Sequence, residues 1–327
     1  MLVVYRRMKG RTFGCFMVQV SGPILLAMGC PAEEVEVEGE RGSAAAVPEN
    51  AEQWQAMRAR WIKSLVQDCL PGGDQPAAPQ AKEIFNVEKN EIALRAFDFA
   101  GFGGKLRLYV SNAPGLKNPD LVVLNILDDD GWTDFLATMR PGFEKQLKGI
   151  ELPEPDPRSF RQHQGMFKSF NWVMAYVAVT GVGQTRMEPA LEVIRDGQML
   201  NQGQTIDNTR VQDARMAVRT LRDAGGLGET PLWIQATGRM AGVALYASLF
   251  EPGVVRLDLH DLPRTHAEGP FFFRVRRYLD VPQAVAMALQ QSKVVIYQNG
   301  EDGWEYPKEV ARKLEWTTKL QIRSPAP

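Results

Sequence analysis

The chain has 327 residues, a length that fits two average domains or one large α/β domain. Apolar residues make up 44% and charged residues 24%, a globular balance that excludes a disordered, collagen-like or polytopic membrane chain. Lys and Arg number 38 against 39 Asp and Glu, so the net charge of −1 gives no bulk attraction to nucleic acid. The 3 Cys are too few for a disulfide framework or a four-thiolate zinc site, and His-based chemistry has only His163, His260 and His266 to draw on.

Arg6, Arg7, Lys9 and Arg11 form a basic cluster, and no charge follows from Thr12 to Ala32. That apolar stretch is interrupted by Gly14, Gln19, Ser21, Gly22 and Pro23, which makes it short and broken for a transmembrane helix. A basic region, a modest apolar region and small residues after it predict a secretory signal over residues 1–30. Its end, Leu26-Ala-Met-Gly-Cys30, resembles a bacterial lipoprotein signal, with the Leu one place early. A lipidated Cys30 and a plainly cleaved signal both stand as readings, and a leader without function is the bland one. Residues 31–48 are acidic, small and rich in Gly and Ala, and predict a flexible tether.

From Glu49 to Leu70 the spacing of Trp54, Met57, Trp61, Leu65 and Cys69 predicts a helix, with Cys69 a buried small hydrophobe on its stripe. Short strands over 83–87, 92–99 and 106–111, separated by turn residues, predict an antiparallel meander. The nearly continuous apolar run over 120–127 predicts a strand buried on both faces of a parallel sheet, closed by Asp128-Asp-Asp-Gly-Trp132. Further strands are expected over 172–179, 231–237, 254–259, 293–297 and 319–323. Helices are expected over 208–224, 240–250, 281–291 and 306–314. Residues 141–161 read as a long surface excursion. This alternation predicts an α/β chain with a doubly wound, mostly parallel sheet, preceded by a helix and a meander, in one domain over 49–327.

Gly238-Arg-Met-Ala-Gly242 lies between a buried strand and a helix, the context that a G-x-S-x-G nucleophile elbow requires. With it, the order of elements from Glu49 to Arg323 resembles the α/β-hydrolase fold. More narrowly, the chain resembles the acetyl-xylan-esterase-like branch, in its Trp-containing first helix and in the segments Asp207 to Leu221 and Leu279 to Ala288. The fold's catalytic order is Ser, then an acid, then a His after the last strand pair. The resemblance puts the nucleophile at Met240, whose thioether has no proton to lose, and the acid at Glu301 or Asp302. From Tyr297 to Pro327 there is no His. Met240 together with Leu259-His-Asp-Leu-Pro263 resembles Ser-less members of this branch.

Other residues admit both a chemical and a structural role. His260, Asp261 and His266 are the densest polar cluster and could form a metal site or a relocated dyad beyond a strand end, or a loop of hydrogen-bonded imidazoles. No recognised ligand spacing is present. Ser111, Ser169, Ser248 and Thr237 are weak candidate nucleophiles. Thr180 to Thr185 lacks the residues of a P-loop and reads as a loop bordering the cleft. Asp128 to Asp130 could hold a divalent cation but read better as a solvated strand-end turn. Arg274, Arg276 and Arg277 with Phe271 to Phe273 could bind an anion or sugar, or place aromatics inward and Arg outward.

The expectation is thus an exported protein, periplasmic, lipid-anchored or secreted. It has an esterase-like scaffold without its catalytic engine, no cofactor and no nucleic-acid partner. It acts by binding carbohydrate or a partner enzyme, and touches a membrane only through Cys30. An ester hydrolase with a rearranged site using His266 or His260, and a metal-dependent hydrolase on His260, Asp261 and His266, are the alternatives.

Overall fold

The computed structural model describes residues 4–8, 11–15, 46–70 and 80–325. At the N-terminus, β1 (Val4–Met8) and β2 (Arg11–Cys15) pair antiparallel. The rest of the expected signal, Cys30 and most of the tether lie outside the described residues.

The second unit begins with α1 (Ala51–Ser64), which Asn50 caps by accepting from the Gln53 N–H. A π-helical turn, Leu65–Cys69, continues it. Trp54 and Trp61 are buried on its inner side, and Trp54 packs edge-on against Trp61 and Trp316. Trp54 Nε1 donates to Gln290 Oε1 at 3.0 Å, which ties this first helix to the far end of the sequence. Cys69 is fully buried, and burial, with Asp68 adding to it, pushes its thiol up to about 12. It stays protonated and behaves as a hydrophobe.

Three strands then form the meander: β3 (Lys82–Lys89), β4 (Ile92–Gly101) and β5 (Gly104–Asn112). The strands β6 (Leu121–Leu127), β7 (Trp172–Ala178), β8 (Leu232–Thr237), β9 (Val254–His260), β10 (Lys293–Tyr297) and β11 (Leu320–Arg323) complete a nine-stranded sheet in the order β11-β10-β9-β8-β6-β7-β5-β4-β3. From β7 across to β11 every pairing is parallel; β7 meets β5, and the meander pairs internally, antiparallel. The β6 run Leu-Val-Val-Leu-Asn-Ile-Leu is buried except at Asn125, as a strand covered on both faces must be.

Helices cover both faces. On one, α2 (Asp129–Phe143) and α3 (Pro157–Ser169) pack together, and Phe135 of α2 meets Tyr109 of β5 and Tyr176 of β7. Elsewhere α5 (Ile206–Arg222) packs on α6 (Gly238–Ser248), α6 on β8 and β9, α7 (Val281–Leu289) on β10, and α8 (Glu305–Lys313) on α7 and β11. α4 (Pro189–Asn201) precedes α5 and has no buried residue. Arg215 of α5 and Glu251 after α6 form a buried ion pair at 2.8 Å that fastens this layer.

Three helices depart from the expectation. Asp128 does not merely close β6: its carboxylate accepts from the Gly131 N–H at 2.8 Å and starts α2. The expected excursion over 141–161 contains the end of α2 and the start of α3, which Asp156 caps through the Arg158 and Ser159 N–H groups. The helix α4 was not expected at all. Among the described residues no helix is long and apolar enough to cross a membrane.

Candidate functional site at the carboxyl edge of the sheet

Parallel strands deliver their following loops to one edge, and ligands of open α/β sheets bind there. At the end of β8, Thr237 is still extended (φ −123°), and the next residue, Gly238, turns the chain with φ 56°. α6 begins at that residue. A nucleophile elbow presents its side chain from the strained residue of this turn, so the apex here is Gly238 and not Met240. Met240 lies in the first turn of α6, 4% exposed and packed in the core. The Gly-x-x-x-Gly pattern therefore sits two residues out of step with the turn. The signal that could have found this is the strand end: β8 alternates up to Thr237, and the next residue must make the bend. A Cβ on Gly238 would meet nothing within 4 Å, so the apex opens into free space and carries no side chain. The second glycine has a different reason: a Cβ on Gly242 would lie 2.2 Å from Pro270 Cδ, where the segment after β9 crosses α6.

The polar groups around the apex are engaged with one another. Asp207 is fully buried and accepts from Arg210 Nη1 at 3.1 Å and from the Phe271 N–H at 2.7 Å. Arg239, half-exposed, lies 3.5 Å from the same carboxylate. Arg210 Nε donates to the Thr180 carbonyl at 3.0 Å. Asp213 accepts from the Thr180 N–H and hydroxyl and from the Phe102 N–H. Burial pushes the Asp213 carboxyl up, and these three donors oppose the shift. These carboxylates fasten the loops of the edge together, and none is paired with a His. Thr180 to Thr185 forms a turn and a short 3₁₀ helix closed on the Thr185 hydroxyl, which accepts from the Gly181 N–H.

His266 is 2% exposed and both its ring nitrogens are used. Nδ1 lies 2.6 Å from the Pro270 carbonyl and Nε2 lies 2.7 Å from the Tyr246 hydroxyl. A carbonyl only accepts, so Nδ1 carries the proton and Nε2 accepts from Tyr246. Burial holds its pKa below the ordinary value, with the Pro270 bond opposing. His266 is therefore a neutral core imidazole, which corrects its candidacy as base or ligand. His260, the last residue of β9, stacks on Tyr297 at 4.3 Å and 5° between planes, in register with Thr237. Its backbone sits in the sheet ladder, and its ring makes no hydrogen bond to a described residue. Asp261 takes left-handed backbone (φ 48°) and is exposed. Among the described residues no three His, Cys, Asp or Glu side chains converge as metal ligands, so the expected cluster of His260, Asp261 and His266 is not assembled.

Asp302 and Glu301 lie in an exposed turn after β10, where Glu301 pairs with Lys308 at 2.9 Å. No imidazole is bonded to either. Ser248 and Ser111 are buried, donating to the Leu245 and Met174 carbonyls, and Ser169 donates to the Gly165 carbonyl on α3. Thr237, exposed one residue before the apex, has no side-chain bond to a His. His163, on α3, is half-buried with Nε2 2.5 Å from the Tyr176 hydroxyl, and belongs to the α2–α3 layer. The edge thus has a sharp strand-to-helix turn with no side chain at its apex, and no imidazole hydrogen-bonded to a carboxylate.

No family model and no curated protein sequence matches the chain. Solved structures do. A protein assigned as an acetyl xylan esterase of Bacteroides fragilis superposes with a TM-score of 0.59 at 11% identity, over 84% of this chain and 74% of that one. A glucuronoyl esterase of Solibacter usitatus gives 0.56 at 12% identity, over 85% and 89%. A promiscuous CE15 esterase from a marine bacterial metagenome gives 0.53 at 10% identity, over 84% and 88%. At these identities the likeness is one of fold, and with the sheet order above it establishes that the chain has the α/β-hydrolase fold these esterases share.

Proposed function

We propose that the chain is an exported binding protein built on an esterase-like α/β-hydrolase scaffold, with carbohydrate as its ligand and no covalent hydrolysis of its own. The observation that carries the reading is the apex of the elbow. Acyl transfer by this fold needs a nucleophile on the strained residue and a base that can take its proton, and Gly238 supplies no atom to attack with. Replacing one member of such a unit already removes most catalysis. The engaged nitrogens of His266 and the stacking of His260 on Tyr297 support the same reading. Export rests on the basic and apolar N-terminal sequence.

The test is hydrolysis of acetyl and short-chain nitrophenyl esters, and of acetylated xylan, by the purified chain. Rates indistinguishable from buffer are expected. Turnover abolished by His260→Ala would establish a rearranged ester hydrolase in its place.

A further inference from the structure

The segment after β9 carries a cluster that the elbow does not explain. Phe272 and Val275 are buried and pin the segment down, Phe272 meeting Tyr246 edge-on at 4.8 Å. Between them Arg274 takes left-handed backbone, φ 62° and ψ 3°, a conformation that a long side chain adopts rarely and only when its surroundings impose it. A 3₁₀ turn, Val275–Arg277, follows. The guanidinium of Arg274 sits over the Phe273 ring at 5.1 Å. Arg274, Arg276 and Arg277 are exposed, and none of them forms an ion pair with a carboxylate among the described residues. Two carboxylates near the turn are engaged elsewhere, and a third, Asp68, accepts from the Tyr278 hydroxyl at 2.7 Å. Asp280 accepts from the Thr265 hydroxyl and from the His266 and Val281 N–H groups, and Asp207 from Arg210 and Phe271. The three arginines line a cavity of about 150 Å³ together with His266 and the half-exposed ring of Phe271.

We infer that this arginine-lined cavity, beside the elbow and not at its apex, holds the anionic groups of an acidic polysaccharide. Guanidinium forks bind planar oxyanions through paired N–H donors. The cavity is too small to enclose a whole ligand, and three exposed cations along one turn can serve more than one anionic group. A chain with an anionic group on successive sugars meets both conditions, and Phe271 offers an apolar surface to a sugar ring. The inference rests on the binding function proposed above and names its ligand class and its place.

The experiment is affinity electrophoresis of the full chain in gels containing polygalacturonate, dextran sulfate, neutral dextran or polyglutamate. Retardation by the acidic polysaccharides, weakened by added salt, is expected, with none by neutral dextran. The triple variant Arg274→Gln, Arg276→Gln, Arg277→Gln should weaken it at least about tenfold. The equally charged variant Arg60→Gln, Arg158→Gln, Arg161→Gln, altered at exposed sites elsewhere, should bind as the parent does. Unchanged thermal unfolding of both variants shows that folding is not what was lost. Equal losses in the two variants, binding to neutral dextran alone, or equal retardation by polyglutamate would overturn the inference. Ester turnover with specific polygalacturonate binding would sink the non-hydrolytic reading and leave this site standing. Neutral-glycan binding without turnover would do the reverse.

Discussion

Removing the imidazole of His266 separates a core role from a catalytic one. In the fold the ring donates to the Pro270 carbonyl and accepts from the Tyr246 hydroxyl, and it is almost fully buried. His266→Ala strands both partners in the interior. Each unsatisfied buried group costs about 1–3 kcal/mol, and the space left by the ring adds to this, so a loss of about 3–5 kcal/mol of unfolding free energy is expected. Tyr246→Phe strands only Nε2 and should lose about 1–2 kcal/mol. Urea unfolding at pH 7.5, followed by tryptophan fluorescence, measures both. The pH dependence supplies a second reading. Burial lowers the His266 pKa in the folded chain, so below the ordinary value of 6.5 the unfolded chain takes up a proton that the folded chain refuses. Its stabilising contribution is therefore complete above pH 6.5 and declines as the pH falls toward the folded value. The slope is at most about 1.4 kcal/mol per pH unit. The gap between the parent chain and His266→Ala should narrow on acidification. A loss below about 1 kcal/mol, or a gap that widens as the pH falls, would refute the assignment of a neutral, doubly bonded imidazole.

Two substitutions test the elbow itself. Gly242→Ala drives a methyl into the Pro270 ring and should cost at least about 1–3 kcal/mol of stability, whereas a neutral result would mean that the crossing segment yields. Gly238→Ser has open space for its hydroxyl but keeps the left-handed turn, so a destabilisation of about 1–2 kcal/mol is expected. It should confer no ester turnover, and turnover would show that His260 leaves Tyr297 and serves as the base.

The sheet and the layer of helices beside the elbow were legible because each element carries its own pattern. The apolar run of β6, the apolar stretch of β8 and the Pro282 at the start of α7 are local signals that tertiary packing reinforces. α2 was missed because Gly131 and Pro141 read as breakers, although Trp132, Phe135, Leu136, Met139 and Phe143 recur at helical spacing and are all buried. α4 was missed because it buries nothing, so periodicity had no inner face to mark. The hydrolase shape could be read from strand, glycine and helix in order, but the apex could not be read from the glycine pair. Gly238 and Gly242 are spaced like the elbow pattern, yet one is set by backbone angle and the other by the approach of Pro270. His266 looked like chemistry because sequence shows an imidazole beside acids and cannot show Tyr246, a residue on another element that occupies its nitrogen.

The central claim is that no side chain of this chain acts as an activated nucleophile. Intact-mass spectrometry after incubation with a fluorophosphonate probe tests it most directly. The account predicts an unmodified mass for the parent chain under conditions that label a serine esterase fully. One stoichiometric adduct, mapped to Thr237 or to any serine, would contradict it and name the residue that does the chemistry.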